Sequence, residues 1–171
     1  MKTINEIILA QELIRFPTIK TEDKGIMKFL SKKLSSIGFR CKIIKSKGTG
    51  PKPALNLYAK YGNSRPHINF LGHTDVVANL NNWKISPFKA VVRKGYLNGR
   101  GSQDMKGGIA CFISAISNFV KDKNFIGSIS IIIAADEETT GLGTPAVIRY
   151  LKKKMEKVDF SIVAEPSSNR S

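Results

Sequence analysis

Ile129-Ser130-Ile131-Ile132-Ile133-Ala134-Ala135-Asp136-Glu137-Glu138 is the stretch that sets the architecture. A strand with one wet face alternates apolar and polar residues, whereas a strand covered on both faces is apolar almost throughout. The run from Ile129 to Ala135 is of the second kind, and it ends directly in three acidic residues. That combination predicts a central strand of a layered sheet with charged groups at its carboxyl end.

Reading outward, a helix precedes the strand over about 106–121, with Ile109, Phe112, Ile113 and Ile116 as its buried stripe. After it, Thr144 is placed as an N-cap with Pro145 at the first helical position, and the helix runs to about Lys154. Val158 to Ala164 is a further strand. Upstream, Ile68, Phe70 and Leu71 form a short apolar strand ending at Gly72-His73. Residues 74–89 are a polar loop with Trp83 and Pro87, and 90–98 a hairpin turning at Lys94-Gly95. Leu55, Leu57, Ala59 and Tyr61 alternate, and Cys41 to Lys45 is another strand, with a Gly- and Pro-rich loop at 48–53 between them.

Two helices open the chain. The first starts at a capping box, Thr3-Ile4-Asn5-Glu6, carries Ile4, Ile7, Ile8, Leu13 and Ile14, and stops at Pro17. The second presents Ile26, Phe29, Leu30, Leu34 and Ile37 and ends at Gly38. Strands alternate with helices over the second half, so the expected fold is α/β, a mostly parallel twisted sheet with helices on both faces.

Composition removes several function classes. A formal charge of +15, from 28 basic and 13 acidic residues, raises the prospect of an anionic partner. The basic residues are scattered, however, and no Arg-rich stretch carries the interleaved aromatics that grip phosphates and stack bases. Lys152-Lys153-Lys154 is a solvated helix face, so no nucleic-acid partner is expected. Cys41 and Cys111 read as two buried thiols rather than a disulfide framework or a zinc finger. Glu6, Gln11 and Glu12 interrupt the N-terminal apolar residues, which argues against a signal peptide, and no apolar run reaches membrane-spanning length. No membrane partner is expected, and the plain reading is a soluble cytoplasmic protein.

The polar residues fall at the strand ends. His73 and Asp75 follow one apolar strand, Asp136, Glu137 and Glu138 a second, and Glu165 a third. Open α/β sheets bind ligands outside the carboxyl ends of their strands. Asp104 joins from the loop opening the 106–121 helix, where Gly101, Gly107 and Gly108 permit tight turns. Singly, each has a bland reading: a polar strand cap for His73, a solvated loop for Glu137-Glu138, a helix cap for Asp104. Together, one imidazole and several carboxylates form the donor set that zinc prefers. His73 and Asp75 point the same way if the strand continues, so Asp75 can orient the imidazole by accepting from its second nitrogen. Of the adjacent Glu137 and Glu138, one as ligand and the other as general base is the economical division.

Gly72-His73-Thr74-Asp75-Val76-Val77, Gly99-Arg100-Gly101-Ser102-Gln103-Asp104-Met105-Lys106-Gly107-Gly108, Asp136-Glu137-Glu138 and Ala164-Glu165-Pro166 resemble, in order, the dinuclear zinc family of aminoacylases, deacetylases and related carboxypeptidases. The resemblance implies that His73 and Glu165 bind one zinc and Glu138 the other, with Asp104 bridging. It makes Glu137 the general acid/base, Asp75 the partner orienting His73, and the peptide after Asp104 cis. The cofactors implied are two Zn2+ ions, with Co2+ able to substitute. Gly99-Arg100-Gly101, Gly143-Thr144 and Glu165-Pro166-Ser167-Ser168 lean toward the branch that removes succinate from N-succinyl-LL-2,6-diaminopimelate, a small dicarboxylate substrate. The alternatives are deacylation of another N-acyl amino acid such as acetylornithine, or a basic binding domain that has lost catalysis.

The chain departs from the family in one ligand. The family's second metal-binding histidine comes near the end of a much longer chain, and the only other histidine here is His67. It lies on the same strand as His73, about 20 Å away at ~3.3 Å per residue. The resemblance implies that residues 1–171 are the N-terminal part of the catalytic domain, without the lid and dimerisation domain that makes full-length members homodimers. Alone, such a part is expected to expose an unpaired sheet edge, to bind one zinc better than two, and to turn over poorly.

Overall fold

The apolar run forms strand β6 (Ser128–Ala134), every residue of which is buried. The structure, a computed structural model, describes residues 3–78, 81–122 and 124–167. Ahead of β6 come α1 (Glu6–Ile14), α2 (Ile26–Ser35), β1 (Arg40–Ser46), β2 (Ala54–Gly62), β3 (His67–His73), β4 (Val91–Arg93), β5 (Tyr96–Asn98) and α3 (Gly107–Phe119). After it come α4 (Gly143–Lys153) and β7 (Phe160–Val163). Residues 79 and 80 of the polar loop, and Ser168 of the Glu-Pro-Ser-Ser motif, lie outside the described residues.

The main sheet has the order β1-β2-β6-β3-β7. Three strands, β6, β3 and β7, run parallel, while β1 pairs antiparallel with β2 and β2 antiparallel with β6. The sheet is therefore mixed. Ser46 and Ala54 are joined by too short a loop for a parallel crossover, which takes a dozen or more residues, so β1 folds back on β2.

Helices cover both faces, and strand alternation shows which. Leu57, Ala59, Ile129, Ile131 and Ile133 join the core made with Leu9 and Leu13 of α1, Met27, Leu30 and Leu34 of α2 and Ile109 and Ile113 of α3. The intervening Tyr58 and Ile132 point the other way, onto Val147 and Leu151 of α4. Each such aliphatic side chain contributes roughly 1.5–3 kcal/mol by leaving water, so β6, loaded on both faces, holds the two layers together.

Local details differ from the sequence reading. α1 is capped by Asn5, whose side chain accepts from Ile8 N, rather than by a box on Thr3. The Glu6 carboxylate instead accepts from Ser114 Oγ at 3.1 Å, tying α1 to α3. That docking turns Leu9, Ala10, Leu13 and Ile14 inward and leaves Ile7 and Ile8 exposed. α4 begins at Gly143, one residue before Thr144, and the amides of Leu142 and Gly143 at its N-terminus donate to a carboxylate described below. Cys111 is exposed on α3 and Cys41 is half-buried. All four residues of β7, an edge strand, are exposed. The hairpin turn has Lys94 and Gly95 both at positive φ, the type I′ geometry that suits a two-residue loop. Among the described residues no helix is long and apolar enough to cross a membrane.

Candidate metal centre

Strand register brings the polar residues to one level. In the parallel β3–β6 pair His73 stands opposite Ala134, so Asp136, Glu137 and Glu138 emerge just beyond His73. In the β3–β7 pair Leu71 stands opposite Val163. Two residues further along each chain lie His73 and Glu165, which leave the sheet together. Asp104 arrives from a wide turn, Ser102–Lys106, in which Asp104 and Met105 abandon helical geometry and the Asp104–Met105 peptide is cis. The turn leads into α3, which packs close: a Cβ on Gly108 would stand 3.0 Å from the Ala164 side chain, next to Glu165.

His73 is 1 % exposed and lies at the middle of the cluster. Its Nε2 is 3.0 Å from Asp104 Oδ1, 3.5 Å from Glu165 Oε1 and 3.8 Å from Glu137 Oε2. On the other side of the ring, Nδ1 is 3.1 Å from the Asp75 carbonyl oxygen and 3.4 Å from its carboxylate Oδ1. A carbonyl can only accept, so Nδ1 carries the hydrogen and Nε2 is the nitrogen presented to the carboxylates. A bare lone pair facing three carboxylates is repulsive; a cation between them, proton or metal, resolves the conflict.

The electrostatics agree. Burial works against charge on His73, yet Asp75, Glu165 and Asp104 prevail and push its pKa up to about 9. Burial raises Glu138, and the Asp104 charge adds to it. Burial raises Glu165 too; the His73 charge opposes this, while Asp104 and Glu137 reinforce it. Crowded carboxylates with raised pKa values around one imidazole are a site that gains by taking up positive charge.

The donor set passes the test for a divalent ion. Single ligand atoms of His73, Asp104 and Glu138 lie within 4.8 Å of one another, and so do those of His73, Glu137 and Glu165. Mixed imidazole and carboxylate donors suit zinc and its first-row neighbours. Both groups share His73, so the described residues offer a single imidazole to two overlapping ligand sets.

His67 is remote from this centre. Its Nδ1 is 2.7 Å from Lys157 O and its Nε2 2.8 Å from Ser130 Oγ, at the far end of β3. Two supporting residues had no individual signal in the sequence. Lys106 is fully buried and donates from Nζ to Phe16 O at 2.8 Å, and burial, against the pull of Asp75, takes its amine down to about 7. Thr18 donates from Oγ1 to Thr74 O at 2.5 Å, holding the residue between His73 and Asp75. Beside Asp104 and Glu138 opens a cavity of about 420 Å³, lined also by Val76, Trp83, Arg100 and Ser102. The Arg100 guanidinium sits over the Trp83 ring, 5.6 Å from its centre.

The layered sheet, with a His and carboxylate cluster at its strand ends, is one that comparison with known proteins places in a family. The sequence profile of peptidase family M20/M25/M40 matches residues 70–170, and the chain belongs to that family. It is 51% identical over 172 residues to a protein of Pelagibacter ubique (strain HTCC1062) named succinyl-diaminopimelate desuccinylase, a match covering 98% of this chain and 45% of the relative. The chain thus spans less than half the length of that relative. Human carnosine dipeptidase 1 shares the fold with a TM-score of 0.81 at 20% identity, over 95% of this chain and 38% of that one. The M20 family metallo-carboxypeptidase Sso-CP2 of Sulfolobus solfataricus does so with a TM-score of 0.79 at 20% identity, over 98% and 38% respectively.

Proposed function

We propose that this chain carries the N-terminal, metal-binding part of the catalytic domain of a zinc-dependent amidohydrolase. Its substrate is N-succinyl-LL-2,6-diaminopimelate, and its products are succinate and LL-diaminopimelate. The observation that carries the reading is the meeting of His73 Nε2 with Asp104, Glu165 and Glu137 at adjacent strand ends. The name of the Pelagibacter relative supplies the substrate.

In this reading His73 and Glu165 would hold one ion and Glu138 the other, with Asp104 available to both. Bound there, zinc or a substituting cobalt supplies Lewis acidity at the amide carbonyl and acidifies water. Glu137 takes the proton from the attacking water and delivers it to the departing amine nitrogen. Its exposure, 53 % of the side chain, suits a group that must reach both. Asp75 keeps the hydrogen of His73 on Nδ1, so that Nε2 stays free to ligate. Arg100, in the cavity beside Asp104 and Glu138, offers a guanidinium to a substrate carboxylate. The reading makes the complete protein a cytoplasmic enzyme of diaminopimelate and lysine synthesis, and the family resemblance implies that its full-length form is a homodimer.

Cobalt titration followed by visible absorption, with substrate competition, tests the reading. One equivalent of Co2+ is expected to bind tightly to the chain and to be lost in His73→Ala. N-succinyl-LL-2,6-diaminopimelate should perturb the cobalt spectrum at lower concentration than acetylornithine. In any succinate release detected, Glu137→Gln should cost about 10²–10⁴-fold. Cobalt binding indifferent to His73→Ala overturns the metal centre, and a preference for acetylornithine overturns the substrate.

A further inference from the structure

Asp136, first of the three acidic residues after β6, has no solvent exposure and takes no place in the ligand sets. Burying a carboxylate costs several kcal/mol unless donors replace the lost water, and this one is fully supplied. Its Oδ2 accepts from Thr140 Oγ1 at 2.5 Å and from Leu142 N at 3.0 Å, and its Oδ1 from Gly143 N at 2.9 Å. Its backbone carbonyl accepts from Gly141 N at 2.8 Å. Residues 136–143 are thus wound around a single side chain. The winding is tight: a Cβ on Gly143 would collide with Asp136 Oδ1 and with Asn56 Oδ1. Asn56 is itself buried, accepts from Ala135 N at 3.1 Å and donates to Ile44 O and Ser46 Oγ, so the stem of the loop is fixed to the sheet.

The same short segment is held from the opposite side. Glu137 N donates to Asp75 Oδ1 at 3.1 Å and Glu138 N to Asp75 Oδ2 at 2.9 Å. Asp75, whose own carbonyl orients His73, therefore also fixes the backbone from which both glutamates project. The two glutamates sit between a carboxylate that grips their amides and a carboxylate that closes the loop behind them.

We infer that Asp136 is a positioning residue of the metal centre. Acting with Asp75, it sets the main chain of Glu137 and Glu138 so that both side chains meet His73. This rests on the reading of those two glutamates as acid/base and ligand. The competing account is that Asp136 merely caps α4 and stabilises the fold.

Amide hydrogen exchange by NMR on the metal-free chain separates the two accounts. Asp136→Asn replaces one acceptor oxygen by a donor, and Leu151→Ala weakens α4 packing without touching the loop. Exchange at Glu137 and Glu138 is expressed relative to Ile131 in β6, which removes the contribution of global stability. Asp136→Asn should raise that ratio about tenfold or more, while Leu151→Ala leaves it unchanged. Cobalt affinity should fall about 10–100-fold in Asp136→Asn alone. Should Asp136→Asn fail to fold, Thr140→Val removes one donor and is expected to give a smaller acceleration at the same two amides. Unchanged relative exchange at Glu137 and Glu138 in the folded Asn or Val variant, or equal acceleration in Leu151→Ala, overturns the inference. Failure of the metal reading shows separately, as absence of cobalt binding by the unmodified chain.

Discussion

Asp159 shows how one side chain ties the entry of β7 to the start of β3. Its carboxylate pairs with the Arg65 guanidinium and accepts from His67 N at 2.8 Å, while its own amide donates to His67 O. Those partners, the Arg65 hydrogen bond first, hold its pKa down at about 2. A carboxyl depressed in the folded state stabilises it above the unfolded value, ~3.9, and the contribution fades as pH falls through the folded value. Asp159→Asn should therefore lower the urea midpoint at pH 7, and the gap from the unmodified chain should close between about pH 4 and pH 2. A gap that persists at pH 2 would show that the aspartate acts by shape rather than charge. At this scale the sequence was legible only in part. His73, Asp104, Glu137, Glu138 and Glu165 stood out because their types and strand-end positions match a metal's needs. Asp136 shares that strand end, but nothing in the sequence separates its role from that of the two acids beside it until its burial is known.

Elements divide by how many faces they bury. β6 is covered on both, so Ile131→Ala should cost about 2–5 kcal/mol in urea unfolding, the range for emptying a core aliphatic site. Phe160 on β7 is larger but 65 % exposed, and Phe160→Ser should stay within about 0.5 kcal/mol. Finding the two costs equal would contradict this division. The continuous apolar run made β6 readable in the sequence, and the Lys94-Gly95 pair did the same for the hairpin. The short 47–53 loop already implied that β1 folds back on β2, but the antiparallel placement of β2 against β6 was not readable, because periodicity records which faces are buried and not which neighbour a strand pairs with. The face of α1 was read only in part, Leu13 and Ile14 correctly and Ile7 and Ile8 not, for a related reason. Ile7 and Ile8 are as apolar as Leu9 and Leu13, and only docking against α3 selects between them.

Across the whole molecule, a charge of +15 meets an edge strand with exposed Ile162 and Val163. Like charge keeps copies apart at low ionic strength, while an open edge invites pairing. Self-association measured by sedimentation should rise as salt screens the charge over a Debye length of about 10 Å at 0.1 M. Ile162→Lys should suppress it, and association indifferent to that change would place the contact elsewhere.

The parallel register of β7 on β3 has a mechanical consequence. β7 is only four residues long and is anchored on one side, yet it delivers Glu165 to the point where His73 waits. A slip of one residue would carry Glu165 about 3.3 Å away and turn it to the opposite face. An ion shared by His73 and Glu165 would then act as a rivet, fastening this short edge strand to the strand beside it. Loading with Co2+ should slow amide exchange at Phe160–Val163 far more than at Ile131–Ile133, because only the first group depends on that fastening to stay in register.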